Sequence, residues 1–201
     1  IIAPDDCTAD WLKLYAPKRH FVDDKPDSYW HSDVGSHSGH SYLVDLEQLE
    51  PQVAAPHSPA NSGPLKDHDG PKFTIAYIGA CTGAKLDDLR AAAKILDGKK
   101  LSPGMRLLIA PASLEDQRAA INEGIMQIFE AAGARFLATA CGMCAGYGPE
   151  KLGPEDICIS STARNFKGRM GDPSSEVWLA SPASVAAAAV TGRLKDPREL
   201  V

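Results

Sequence analysis

The stretch Phe73-Thr-Ile-Ala-Tyr-Ile-Gly-Ala-Cys-Thr-Gly83 decides how the chain is read. Phe73 to Ile78 is an apolar run of strand length, and a glycine-containing turn follows it. Leu86, Leu89, Ala93 and Leu96 then share one face of a helix that Gly98 stops. Strand, turn and helix in that order make the start of a βαβ unit. Cys81 therefore falls at the carboxyl end of a strand, the edge where open α/β sheets bind ligands.

The same alternation continues downstream. Met105 to Ala110 reads as a second strand, and Ser113 is an N-cap with Glu115 and Asp116 in the first helical turn. Ile121, Ile125, Ile128 and Ala132 keep helical spacing up to Gly133, which predicts one long helix, the longest of the chain. Arg135 to Thr139 and Ile157 to Ser161 read as two more strands, and Val185 to Val190 as a closing helix rich in alanine. Such alternation implies right-handed crossovers and a mainly parallel sheet. Upstream, Pro4, Pro17, Pro26, Pro51, Pro56, Pro59 and Pro64 forbid long helices. Residues 1–70 are accordingly expected to be an irregular arm holding a short helix near Thr8 to Tyr15, a strand at Tyr42 to Leu46 and a linker at Gly63 to Pro71. Residues 71–201 are expected to form the α/β domain.

Composition excludes several classes. An apolar content of 44% and a charged content of 23% over 201 residues suit an ordinary globular protein. The net charge of -5 argues against a nucleic-acid or anionic-membrane surface, so an anionic ligand needs local cations. No apolar run reaches bilayer-spanning length, and Ile1-Ile-Ala-Pro4 has no basic, signal-like start. The chain opens without methionine, directly on an apolar pair, and is expected to be a fragment of something longer. Five cysteines without a regular framework favour a reducing compartment, the cytoplasm or an organellar matrix.

Three of those cysteines carry the chemistry. Cys141-Gly-Met-Cys144 can turn two sulfurs toward one point, and Gly146 and Gly148 allow backbone to approach closely. Together with Cys81 the set reads as an iron-sulfur site, a structural zinc site or a redox pair. Zinc ordinarily takes four ligands, and the neighbouring sequence offers no fourth Cys or His. A redox pair has no use for Cys81. Three thiolates suit a cluster with one iron lacking a protein ligand, which can act as a Lewis acid. Cys158 lies within an apolar strand and reads as core, and Cys7 is isolated. After the fourth strand, Arg164-Asn-Phe-Lys-Gly-Arg169 brings cations to the same sheet edge, where guanidinium groups can pair carboxylates through parallel hydrogen bonds. Taken alone, this segment could equally be a solvated basic loop. His31, His37 and His40 are separated by glycine and serine that fix no ligand geometry.

At these residues the sequence resembles the aconitase superfamily, and within it the carboxyl-terminal half of the large subunits of the 3-isopropylmalate dehydratase and homoaconitase branch. The likeness runs through Ile2 to Asp6, Glu50 to Pro59, Gly79 to Gly83, Leu86 to Leu96, Cys141 to Cys144, Arg164 to Arg169 and Leu179 to Pro182. It implies a three-layer α/β/α iron-sulfur domain in which Cys81, Cys141 and Cys144 ligate a 4Fe-4S cluster. Arg164 and Arg169 would contact substrate carboxylates. The activity it implies is a hydro-lyase (dehydratase/isomerase) reaction on a hydroxy polycarboxylate such as 3-isopropylmalate, within leucine and related amino-acid biosynthesis. The implied partners are the remainder of a large subunit, with its acidic and histidine residues, and a small swivelling subunit or domain that brings a serine base. A homoaconitate or citrate hydratase and a non-enzymatic iron-sulfur or iron-sensing module are the alternatives. This chain departs from the usual pattern at Ala80, Met143 and Ala163, where the family usually has serine, proline and asparagine.

Overall fold

The computed structural model describes residues 5–15, 32–36, 39–40 and 42–201. Its contacts divide the chain into two units, Ile1–Glu47 and Gln48–Val201. In the first unit, helix α1 spans Asp6–Tyr15. Asp5 starts it by accepting hydrogen bonds from the Thr8 N–H at 2.8 Å and the Thr8 hydroxyl at 2.7 Å. Residues 42–45 are not a strand; Tyr42 and Leu43 are solvent-exposed. Alternation alone predicted one, but with both side chains in solvent no apolar face is buried to favour it, and Leu46 begins a 3-10 helix.

The second unit is a seven-stranded sheet: β1 Gln52–Ala54, β2 Ser62–Pro64, β3 Ile75–Gly79, β4 Arg106–Ala110, β5 Arg135–Phe136, β6 Ile157–Ser160 and β7 Glu176–Ala180. Spatial order is β2-β1-β7-β6-β3-β4-β5. Pairings among β3 to β7 are parallel, whereas β1 is antiparallel to both β7 and β2. The α/β class and mainly parallel sheet thus follow the expectation. The sheet also takes in residues 52–64, which proline density assigned to an arm and linker. These strands are three residues each, and β2 is the edge strand, so few ladder bonds are asked of proline-rich chain.

Four helices complete the unit's main framework: α2 Ala80–Gly83, α3 Leu86–Leu96, α4 Leu114–Asn122 and α5 Ile125–Ala132, followed by α6 Pro182–Thr191 after the last strand. Strand side chains alternate between two cores. Ala76, Ile78, Leu107, Ile109 and Ile159 face α3, α5 and α6. Ile75, Tyr77, Leu108, Ala110, Cys158 and Val177 face Met143, Leu152 and Met170. The β3-to-β5 crossovers run one way along the sheet and lay their helices on the first face; the later connections run the other way and fall on the second. That second layer is built from loops and a 3-10 turn in the described residues, where the resemblance implied helices.

The helix expected from Ser113 to Gly133 is two. Ser113 caps α4 as predicted, accepting the Asp116 N–H at 3.0 Å. Gly124 then takes a left-handed φ of 76°, and α5 restarts with a new direction. The break lets Ile125, Met126 and Phe129 turn into the core while Ile121 stays exposed. The longest helix among the described residues is α3.

A methyl group at Gly124 would meet open space, its nearest neighbour being Gln127 Oε1 at 4.0 Å. Gly124→Ala should therefore report backbone strain alone and destabilise the protein by about 1 kcal/mol in denaturant titration. A stabilised variant would mean that α4 and α5 fuse into the continuous helix.

Candidate iron-sulfur and carboxylate site

From β3 the sheet grows through β4 and β5 in one direction and through β6 and β7 in the other. The carboxyl ends of β3 and β6 therefore flank the point where chain order reverses, the crevice in which open α/β sheets bind ligands. Cys81 follows β3 almost directly. The segment carrying Arg164 follows β6 almost directly.

The β3 end is built under strain. Ala80 has φ of 64°, a left-handed value uncommon for a residue with a side chain, and it is buried. Such a conformation costs on the order of 1–2 kcal/mol and persists only where surroundings enforce it. Ser161, the first residue beyond β6, does the enforcing. Its hydroxyl accepts the Gly79 N–H at 3.1 Å and donates to the Gly83 carbonyl at 2.8 Å, while its own N–H donates to Tyr77 O at 3.0 Å. Gly83 leaves room for this contact, since a methyl there would lie 2.1 Å from Ser161 O. The sharp turn thus has both sides tied to the neighbouring strand, and it lifts Cys81 into solvent.

Cys141 and Cys144 share one tight turn. Gly142–Ala145 is a 3-10 helix, closed by Gly146 in a left-handed conformation. Met143 between the two cysteines is buried in the second core and fixes the turn to the sheet face, leaving Cys141 exposed and Cys144 half-buried. Glycine is required at 146, where a methyl would stand 3.3 Å from Arg169 O and Gly171 N. This turn and the arginine segment therefore touch backbone to backbone. Farther along, Arg135 pairs with Glu150 at 2.5 Å and holds the loop to the start of β5.

Arg164 is exposed and forms no hydrogen bond or ion pair among the described residues. Arg169 is half-buried with its Nε unpaired. Between them Asn165 is fully buried and its amide donates to Ala55 O at 2.9 Å, which ties the segment to the end of β1. Three buried side-chain atoms among the described residues have no partner: Tyr77 Oη, Asn165 Oδ1 and Arg169 Nε. All three belong to this edge of the sheet or the loop that follows it. Burial pushes the Tyr77 phenol up, and charge at Cys144, Cys158 or Cys141 would push it further, so it stays a neutral donor. Burial likewise holds the Cys158 thiol protonated, as its core assignment requires.

All five cysteines are free thiols. No three His, Cys, Asp or Glu side chains among the described residues converge as around a single ion. Cys81, Cys141 and Cys144 are placed at one sheet edge and are not drawn into one point. The donor set, three accessible thiols on two glycine-bordered turns, fits a multi-iron cluster better than a four-coordinate structural zinc. Of the loop histidines, His40 lies among described residues, whereas His31 and His37 fall outside them. Sequence reasoning passed over Ser161, Asn165 and Tyr77, whose roles come from partners remote in the chain.

The profile of the aconitase family (aconitate hydratase) matches residues 66–192, which takes in both turns and the arginine segment. The chain belongs to the aconitase family. Curated relatives carry the name 3-isopropylmalate dehydratase large subunit: one from Hydrogenobaculum is 40% identical over all of this chain and 46% of the relative. Another from Campylobacter concisus is 42% identical over all of this chain and 47% of the relative. A third, from Mycolicibacterium smegmatis, is 43% identical over 79% of this chain. The aconitase-family chain spans about half the length of these relatives. No helix among its described residues is long and apolar enough to cross a membrane.

Ser161→Ala removes the side chain that joins the two strand ends of this aconitase-family crevice and strands a buried N–H and a buried C=O. It should cost about 3 kcal/mol of unfolding free energy, the sum expected for two unmet buried groups. A loss under about 0.5 kcal/mol would show that the strained turn at Ala80 stands without it.

Proposed function

We propose that this chain is the cluster-bearing portion of a hydro-lyase large subunit that dehydrates and rehydrates a hydroxy polycarboxylate of the 3-isopropylmalate kind. The observation that carries the proposal is the pairing, across one switch-point crevice, of Cys81 after β3 with the unpaired cations Arg164 and Arg169 after β6. The family and the names of the relatives support the same reading.

In this reading Cys81, Cys141 and Cys144 hold a 4Fe-4S cluster. When bound, the cluster supplies Lewis acidity at an iron that has no protein ligand. The chain's own residues do the rest of what this portion contributes. Arg164, free of any competing carboxylate, offers a planar fork to a substrate carboxylate; Arg169 offers a second, with its Nε already stripped of water. Two forks on one loop at the crevice can pair both carboxylates of a dicarboxylate and orient it in one register, which converts random encounters into positioned ones. Asn165 holds the two arginines on a common support through Ala55. The proton next to the leaving hydroxyl is taken by a base from the remaining half of the large subunit or from a small swivelling subunit or domain, which are the partners this reading requires.

Anaerobic reconstitution of the protein with iron and sulfide should give about four irons per chain, with charge-transfer absorption in the blue, and Cys141→Ala or Cys144→Ala should abolish both. In the assembled enzyme, Arg164→Lys keeps charge and loses the fork. It should weaken substrate binding by at least about 1.5 kcal/mol with the cluster retained. Full iron in the cysteine variants, stoichiometric zinc in the parent, or unchanged binding in Arg164→Lys would each contradict the assignment.

A further inference from the structure

Tyr77 is the largest side chain buried without any exposure, and its hydroxyl has no partner. A phenylalanine would fill the same space at no desolvation cost, so an unpaired phenol at the centre of a sheet needs a reason. Its position supplies one. Tyr77 leans along β3 over Gly79: a methyl built on Gly79 would lie 2.2 Å from the ring carbon Cζ and 2.4 Å from Oη. The hydroxyl therefore reaches the carboxyl end of the strand, two residues short of Cys81, and only the missing side chain at position 79 lets it do so. Tyr77 and Cys144 pack in the same core, beneath the turn that carries both paired cysteines.

We infer that the Tyr77 hydroxyl donates a hydrogen bond to sulfur in the cluster site, either a cysteine thiolate or a bridging sulfide, and sets the reduction potential of the bound cluster. This rests on the cluster assignment above. A phenol has one proton to give, and neither an oxygen nor a sulfur acceptor among the described residues meets it. Thiolate and sulfide sulfurs are acceptors that become more electron-rich when a cluster is reduced. A donor aimed at them stabilises the reduced form, and hydrogen bonds to the sulfurs are among the levers that set cluster potential. Arg164 and Arg169 lie on the other side of the crevice, after β6, and face substrate; Tyr77 works from beneath. Its effect falls on the cluster rather than on substrate, and it is a tuning residue.

The test uses Tyr77→Phe in the full protein containing this chain, reconstituted anaerobically beside the parent. Iron content, folding and reduction potential are measured, the last by a redox titration followed through the paramagnetic resonance signal. The expected result is equal iron in both proteins and a lower potential in the variant. At a fixed applied potential, the reduced-to-oxidised ratio should fall about fivefold, the scale of one ordinary hydrogen bond. A cluster present in both proteins at the same potential would overturn the role of Tyr77 while leaving the cluster assignment intact; it would mean the hydroxyl is met by trapped water. A parent that takes up no iron would overturn both. Should Tyr77→Phe fold poorly, site-specific 3-fluorotyrosine at position 77 gives the opposite arm. A more acidic phenol donates more strongly, so the potential should rise, and an unchanged or lowered value would contradict the inference.

Discussion

Two hydrogen bonds from one serine hydroxyl hold the functional end of this molecule together. Ser161 bridges the Gly79 N–H and the Gly83 carbonyl across the boundary between β3 and β6. Without that bridge there is no reason for Ala80 to remain at φ of 64° or for Cys81 to leave the sheet at a sharp angle. The bridge also sits where the direction of strand addition reverses, so it closes the floor of the crevice instead of filling it. Local strain at Ala80 is thus maintained by a contact between residues some eighty positions apart in the chain.

The unmet polar atoms give the same region its chemical character. Proteins rarely leave buried donors and acceptors unpaired, because each costs about 1–3 kcal/mol. Here Tyr77 Oη, Asn165 Oδ1 and Arg169 Nε are so left among the described residues, and all belong to the β3 and β6 ends or the loop beyond. Apart from Arg135–Glu150, the ion pairs among the described residues of the second unit lie elsewhere. Arg90 binds Asp87 and Glu123 on the helical face, Arg106 binds Asp156 at the strand starts, and Lys195 binds Glu199 near the end of the chain. Arg164 is kept out of that network, in a protein of net charge -5 that has acidic partners to spare.

Much of this was legible in the sequence because it is local. Apolar runs bounded by glycine gave β3 and β4, a serine with acidic residues behind it gave the start of α4, and the cysteine and arginine motifs, with the family resemblance, supplied the residues of the proposed site. What escaped depends on partners remote in sequence. The spacing of Ile121, Ile125 and Ile128 continues across Gly124, so a left-handed glycine that re-aims the chain is invisible to a periodicity count. Strands β1 and β2 are three residues each in proline-rich chain, and only their pairing reveals them. Tyr42 to Leu46 has a strand's pattern, but no strand forms at residues 42–45 and Leu46 begins a 3-10 helix. Ser161 looks like any serine after a strand until Gly79 and Gly83 are beside it, and Tyr77 looks like core until its hydroxyl is found without a partner.

The central claim is that three cysteines and two arginines, on the loops that follow β3, β5 and β6, form one site. A crystal structure of the anaerobically loaded, assembled protein with a hydroxy dicarboxylate, phased at the iron absorption edge, tests it most directly. The account predicts iron bonded to Sγ of Cys81, Cys141 and Cys144 and to no other side chain of this chain, with a ligand carboxylate paired to Arg164. Iron held elsewhere, a further protein ligand closing the cluster, or a ligand that leaves both arginines in solvent would contradict it.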